Sequence, residues 1–168
     1  RAEAEGASLR ATRPFPRAHK TERAECKSAR LLPLDPDLAR ECRFRDRFFD
    51  LYVNTPLGKI VVDKLRPEGQ RDPLGVQEAK SQIATAYGIA ERWLTTTGAL
   101  GSGGPWALGE TFTMADCAAA PALFYASRVV PFGSDQKGLA AYHARLMERS
   151  SFARVIDESK PFQHMFPG

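Results

Sequence analysis

The chain is poor in the residues that most often carry chemistry or cross-links. Its 168 residues include three cysteines, three methionines and three histidines. Cys26, Cys42 and Cys117 are an odd, widely spaced set without a CxxC pair. They offer no metal framework and point to a reducing compartment, so a cytoplasmic protein is expected. His19, His143 and His164 have no Cys, Asp or Glu at ligand spacing, so no metal is expected, and no Ser-His-Asp or Cys-His set can be assembled. No apolar run approaches the ~20 residues that span a bilayer, and no secretory h-region opens the sequence. No membrane partner is expected. The glycines from Gly98 to Gly104 follow no strand and lack a Gly-Lys-Ser/Thr ending, which excludes a phosphate loop in favour of a flexible connector.

What is present is ordinary for a globular protein: 43% hydrophobic and 26% charged residues, enough chain for one domain with a real core. The net charge of +4 is a property of one end. Residues 1–30 carry eight Lys/Arg against four Asp/Glu, and the remainder carries sixteen of each. Leu9 and Phe15 are the only large apolar side chains there, Pro14 and Pro16 interrupt, and no period of 2 or 3.6 survives. The expectation is a basic, disordered arm over residues 1–30 and a neutral body over 31–168, with nucleic acid an unlikely partner.

The body reads as all-helical. Leu31-Leu32-Pro33-Leu34 is a short apolar strip, and Asp35-Pro36 then opens a first helix running to about Asn54. Leu38, Cys42, Phe49 and Val53 form its apolar stripe, with Phe44, Phe48, Leu51 and Tyr52 widening it. Arg40, Glu41, Arg43, Asp46 and Arg47 form the polar side. Thr55-Pro56 should kink or break it, after which a helical pattern resumes to Leu65. A long helix is predicted from about Pro73 to Thr96 on Val76, Ile83, Ala86, Tyr87, Ala90 and Leu94. Others follow at about Thr113–Val129, Gln136–Arg149 (Leu139, Tyr142, Ala144, Leu146) and Phe152–Ser159 (Phe152, Val155, Ile156). The apolar end, Pro161 to Pro167, should pack back on the body. The aromatic cluster Phe44, Phe48, Phe49 and Tyr52 is open to three readings: a helix-packing surface, the wall of an apolar pocket, or a dimer face.

The sharpest local signal is Thr113-Met114-Ala115-Asp116. A Thr followed three residues later by a carboxylate reads as a reciprocal capping pair, with Phe112 and Cys117 as its hydrophobic staple. The small apolar residues after it predict a buried central helix. The cap accounts for Asp116 without catalysis, and its loss to Ala should cost about 1–2 kcal/mol.

In this context the order of parts resembles the helical C-terminal domain of soluble glutathione transferases. The resemblance is carried by Leu31-Leu32-Pro33 before Asp35-Pro36-Asp37, the proline-interrupted first helix, the long second helix, and Trp106-Ala-Leu-Gly-Glu-Thr-Phe-Thr-Met-Ala-Asp-Cys117. The ending, Ser151-Phe-Ala-Arg154 before Pro161-Phe-Gln-His-Met-Phe166, continues it, so that residues 31–168 are covered. It implies an all-α bundle of about five to six helices whose central helix opens on the Thr113–Asp116 cap as a stability element. It also implies conjugation of glutathione, the family co-substrate, to an apolar electrophile. The helical domain would supply the acceptor pocket from its first helix and the chain's end, with Phe48, Tyr52 and Phe162 at the matching positions, and part of a dimer interface. In the family an N-terminal thioredoxin-like domain of about 75–80 residues holds glutathione and supplies the activating Tyr, Ser or Cys. Residues 1–30 show no such unit, so the expectation is an intact helical domain alone, through truncation, an alternative start or a frame disturbance. Such a chain should be inactive by itself. The alternative is a non-catalytic helical module that pairs with itself or with a helical partner.

Overall fold

Local capping chemistry decides where the helices begin. In the computed structural model, which describes residues 30–96, 101 and 103–167, Asp35 accepts from the amides of Asp37 (3.0 Å) and Leu38 (2.8 Å). This opens α1, Pro36–Phe48, with Pro36 at the position where a missing N–H costs nothing. Asp72 repeats the device for α3, Pro73–Thr95, by accepting from Gly75 N at 2.8 Å. Asp63, near the end of α2 (Thr55–Leu65), accepts in turn from Asp72 N at 2.7 Å and so fixes the α2–α3 connection. The remaining helices are α4, Met114–Val129, α5, Lys137–Glu148, and α6, Ser150–Ser159, followed by a 3₁₀ segment, Lys160–Met165. No strand occurs among the described residues; Trp106 and Gly109 pair as a single bridge. The predicted basic arm and most of the glycine-rich connector lie outside the described residues.

Thr55-Pro56 does not break the first helix. Phe49–Asn54 winds as a π-helical turn joining α1 to α2, with the Thr55 amide and hydroxyl (3.0 Å) both donating to the Asp50 carbonyl five residues back. The wider turn leaves room for the Pro56 ring and hands the spare carbonyl to Thr55, so the helical path continues through the proline.

α4 is the centre of the bundle. Ala115, Ala119, Ala122 and Ala126 lie along one buried stripe, and their small side chains let α1 and the π turn approach it closely. Around them pack Cys42, Phe49, Val53 and Ile60 from the first helical run, Ile83 and Tyr87 from α3, and Leu139, Tyr142 and Leu146 from α5. Pro121 sits inside α4 with its ring on the exposed side. The expected stripes hold in their core positions, but Leu38, Phe44, Leu51, Tyr52, Ala144 and Val155 are exposed, and Asp46, assigned to the polar side, is buried. In α1 the core face turns on Ala39 and Cys42, and the drift of a 3.6-residue repeat carries Leu38 out of it.

A non-local cap starts α5. Glu91, on α3, accepts from Gly138 N (2.9 Å) and Leu139 N (2.6 Å), so a carboxylate from a neighbouring helix satisfies two free donors and the positive end of the dipole. Gly138 permits this approach, because a Cβ there would stand 2.6 Å from the Thr95 methyl and 3.0 Å from Glu91 Oε1.

Candidate functional site

Two arrangements draw together the residues singled out in the sequence. The first is the Thr113–Asp116 pair, which forms the expected capping box. Asp116 is fully buried, and its carboxylate accepts from Thr113 N (2.8 Å), Thr113 Oγ1 (3.1 Å), Ala107 N (2.8 Å) and Tyr142 Oη (2.7 Å). The Ala107 carbonyl accepts in turn from buried Arg45, whose Nε is held by Glu41 at 2.7 Å. One carboxylate thus ties together α4, the Trp106–Gly109 turn and α5, with α1 attached through Arg45. Burial first, then the Asp116 charge and its hydrogen bond, hold the Tyr142 pKa well above the ordinary phenol value, so Tyr142 remains a donor. Every lone-pair direction of Asp116 faces a protein donor, which leaves no place for a reacting atom. Phe112 packs edge-to-face on Trp106 (5.2 Å) and beneath the Arg149 guanidinium (3.8 Å), while Cys117 of the expected staple is exposed. Partial burial and the Asp116 carboxylate raise the Cys117 pKa, which keeps it a thiol.

The second arrangement is a cleft of about 470 Å³ between the first helical run and α3. One wall is aromatic: Phe44, Phe48 and Tyr52, at spacings of four, with Trp93 closing the end. Ring centroids lie 4.5 Å apart for Phe48–Trp93, 5.8 Å for Phe44–Trp93 and 5.4 Å for Phe48–Tyr52, the two Trp93 contacts being edge-to-face. The other wall is one stripe of α3, where Ala86 and Ile89 form the floor and Ser81, Gln82 and Thr85 the rim. Phe48 is buried behind the surface, whereas Tyr52 is 57% exposed. No lining side chain is an Asp, Glu, Lys, Arg or His. The guanidinium of Arg45 lies 5.1 Å from the Trp93 ring centroid, but it is committed to Glu41 and the Ala107 carbonyl.

Phe162 does not join Phe48 and Tyr52. It lies in the terminal 3₁₀ segment, 65% exposed, next to Gln163, which accepts from Arg128 at the end of α4 at 3.1 Å. Phe166 anchors that segment on Tyr125 (4.9 Å). The wall that completes the cleft comes from α3, which sequence reasoning passed over. Its signal was present in the four-residue spacing of Ser81, Thr85, Ile89 and Trp93, a second stripe beside the core positions. His143 is a boundary residue, packed on Phe132 (5.4 Å), and burial holds its pKa below the ordinary imidazole value. Among the described residues no group of three or more His, Cys, Asp or Glu could hold a metal, and no helix is long and apolar enough to cross a membrane.

This architecture, a helical bundle around an alanine-rich capped helix that follows a long helix and a tight Trp-Ala-Leu-Gly turn, is similar in fold to the glutathione-transferase C-terminal domain. Residues 76–147 match the family model described as glutathione S-transferase, C-terminal domain. The fold is similar to that of a glutathione S-transferase from Methylobacterium radiotolerans solved with glutathione sulfonate. The two share 23% identity with a TM-score of 0.63, over 80% of this chain and 62% of that one. It is also similar to a glutathione S-transferase from Methylobacillus flagellatus with glutathione bound, at 21% identity and a TM-score of 0.61, over 74% of this chain and 59% of the other. The chain therefore spans about three fifths of the length of the solved proteins it matches. A comparison with curated proteins gives no significant match.

Proposed function

We propose that this helical domain serves the acceptor side of glutathione conjugation, holding an apolar electrophile through Phe48 and Tyr52 in a cytoplasmic protein. The observation that carries the reading is the uncharged cleft in which Phe48 and Tyr52 meet Phe44 and Trp93. Its volume falls in the range of about 300–1,000 Å³ usual for small-molecule sites. Glutathione itself does not fit this cleft. It carries two carboxylates, and the lining provides no cation to receive them.

Tryptophan emission of the 168-residue chain, titrated with an activated halonitrobenzene, tests the reading. Saturable quenching that is lost in Phe48→Ala and in Tyr52→Ala supports it, and quenching unchanged in both refutes it. The same chain, incubated with glutathione and the halonitrobenzene, is expected to leave conjugation at the uncatalysed rate. Saturable turnover would overturn that expectation.

A second reading, a non-catalytic module that pairs with itself or a helical partner, draws on exposed Leu51, Val62 and Leu65 along the π turn and α2. Light scattering over a concentration series discriminates. Mass rising toward a dimer favours it, and a constant monomer mass counts against it.

A further inference from the structure

We propose that the cleft selects a neutral, planar, fused-ring aromatic molecule bearing one hydrogen-bonding group at its edge, and that it rejects anionic analogues. The inference rests on reading the cleft as a small-molecule site and goes on to name what the site takes. Three features of the lining carry it.

The aromatic wall comes first. Phe44 and Phe48 both meet Trp93 edge-to-face, each at an interplanar angle of 62°, so buried Phe48 backs the wall while exposed Phe44 offers apolar ring surface to the cleft. Opposite them, Ala86 and Ile89 are small or aliphatic and add no polar atom. A flat ring system gains contact with both surfaces at once, whereas a bulky globular ligand forfeits one of them.

Polarity is the second feature, and it lies on one side. Ser81, Gln82 and Thr85 line the same stripe of α3. The Thr85 hydroxyl already donates to the Ser81 carbonyl at 3.0 Å, which leaves its oxygen as an acceptor. The Gln82 amide both donates and accepts, so it can serve a ring carbonyl or a phenolic hydroxyl. A ligand therefore needs its polar group at the edge that meets α3.

Charge is the third. A carboxylate or sulfonate entering this space would leave water and find no cation, since Arg45 behind Trp93 is occupied by Glu41 and the Ala107 carbonyl. A cationic ligand fares little better, because one cation already stands 5.1 Å from the Trp93 ring.

The test uses the 168-residue chain and three tricyclic probes of nearly equal shape: 9-fluorenone, fluorene and 9-fluorenone-2-carboxylate. Binding is followed by isothermal titration and by tryptophan quenching, with Trp106→Phe leaving Trp93 as the single reporter. Fluorenone is expected to bind tightest, fluorene about fivefold more weakly, as one hydrogen bond of roughly 1 kcal/mol is lost, and the carboxylate at least tenfold more weakly than fluorenone. Gln82→Ala should bring fluorenone down to the affinity of fluorene and leave fluorene unchanged. Carboxylate binding as tight as that of fluorenone would overturn the proposed class while leaving the site in place. Fluorene and fluorenone weakened alike by Gln82→Ala would also overturn it. Binding of none of the three, even to the unsubstituted chain, would remove the site along with the class.

Discussion

Replacing Asp116 by alanine should be far more damaging than the loss of a helix cap. A cap alone is worth about 0.5–2 kcal/mol. Here the carboxylate also receives Ala107 N at 2.8 Å and Tyr142 Oη at 2.7 Å, in a fully buried position. In the alanine variant the Thr113 hydroxyl can turn to another acceptor. The amides of Thr113 and Ala107 and the Tyr142 hydroxyl cannot, and each buried orphan costs roughly 1–3 kcal/mol. Relaxation of the Trp106–Gly109 turn and entry of water recover part of this, so the expected loss is about 3–5 kcal/mol. That is a large share of the ~5–15 kcal/mol that holds a domain of this size. Urea unfolding followed by tryptophan fluorescence reads it directly. With a slope of about 2 kcal/mol/M the midpoint should fall by roughly 2 M at unchanged slope. Tyr142→Phe, which removes one donor and leaves Asp116 three, should cost only about 1–1.5 kcal/mol. Asp116→Asn should stay close to the alanine value, since its NH₂ group faces N–H donors. A loss below 1 kcal/mol in Asp116→Ala would refute the account of a four-bond hub.

Glu91→Ala should cost about 2 kcal/mol and Glu91→Gln about half of that, because the amide still accepts but loses its charge at the α5 dipole. Thermal unfolding checks both, and a melting temperature within 1 °C of the parent for Glu91→Ala would contradict the cap. At alkaline pH the domain should weaken. Burial raises the pKa of Tyr87 and, with the Asp116 charge, that of Tyr142, so the unfolded chain releases both protons from about pH 10 while the folded chain keeps them. Stability then falls with rising pH by up to about 2.7 kcal/mol per unit. Urea melts between pH 9 and 11 measure the slope, and Tyr87→Phe should halve it. On the acid side His143, held below its ordinary pKa by burial, takes up a proton more readily unfolded than folded. Stability should accordingly decline as pH falls below about 6.5, and His143→Gln should flatten that limb of the curve.

The helix starts at Asp35-Pro36, Asp72-Pro73 and Thr113-x-x-Asp116 were legible in the sequence because each is built within four residues. What the sequence hid is what comes from elsewhere in the chain. Glu91 caps α5 from 47 residues away, and Asp116 receives Tyr142 from 26 residues away. Arg45 sits three residues after Cys42 on the apolar side of α1, which hinted at a buried cation, but its acceptor at Ala107 is 62 residues distant. The cleft was half legible. Phe48 and Tyr52 stand out by ring content, whereas Ser81, Gln82 and Thr85 look like any solvated helix face until α1 lies beside them. Likeness of order puts Phe162 with the pocket, whereas Phe166 on Tyr125 and Gln163 on Arg128 hold its segment against the end of α4 through contacts no local pattern announces. That the helix runs on through Pro56 was hidden for a related reason. Proline signals that a hydrogen bond is missing, but not whether the turn will widen to do without it.

The π turn at Phe49–Asn54 gives the first helical run the character of a spliced rod. An α-helix rotates by about 100° per residue, but the wider turn advances less per residue, so its extra residue is taken up without turning the upstream column, Phe44 and Phe48, away from the downstream core positions Leu57 and Ile60. A single-codon deletion between Phe49 and Asn54 would restore a regular helix at no loss of helical propensity. The wider turn already takes up one residue without added rotation, so the aromatic wall and the α2 core face would keep nearly their present relative bearing. The turn is thus where this helical run best absorbs a one-residue change in length; the same deletion within α1 or α2 would rotate one half against the other by about 100°.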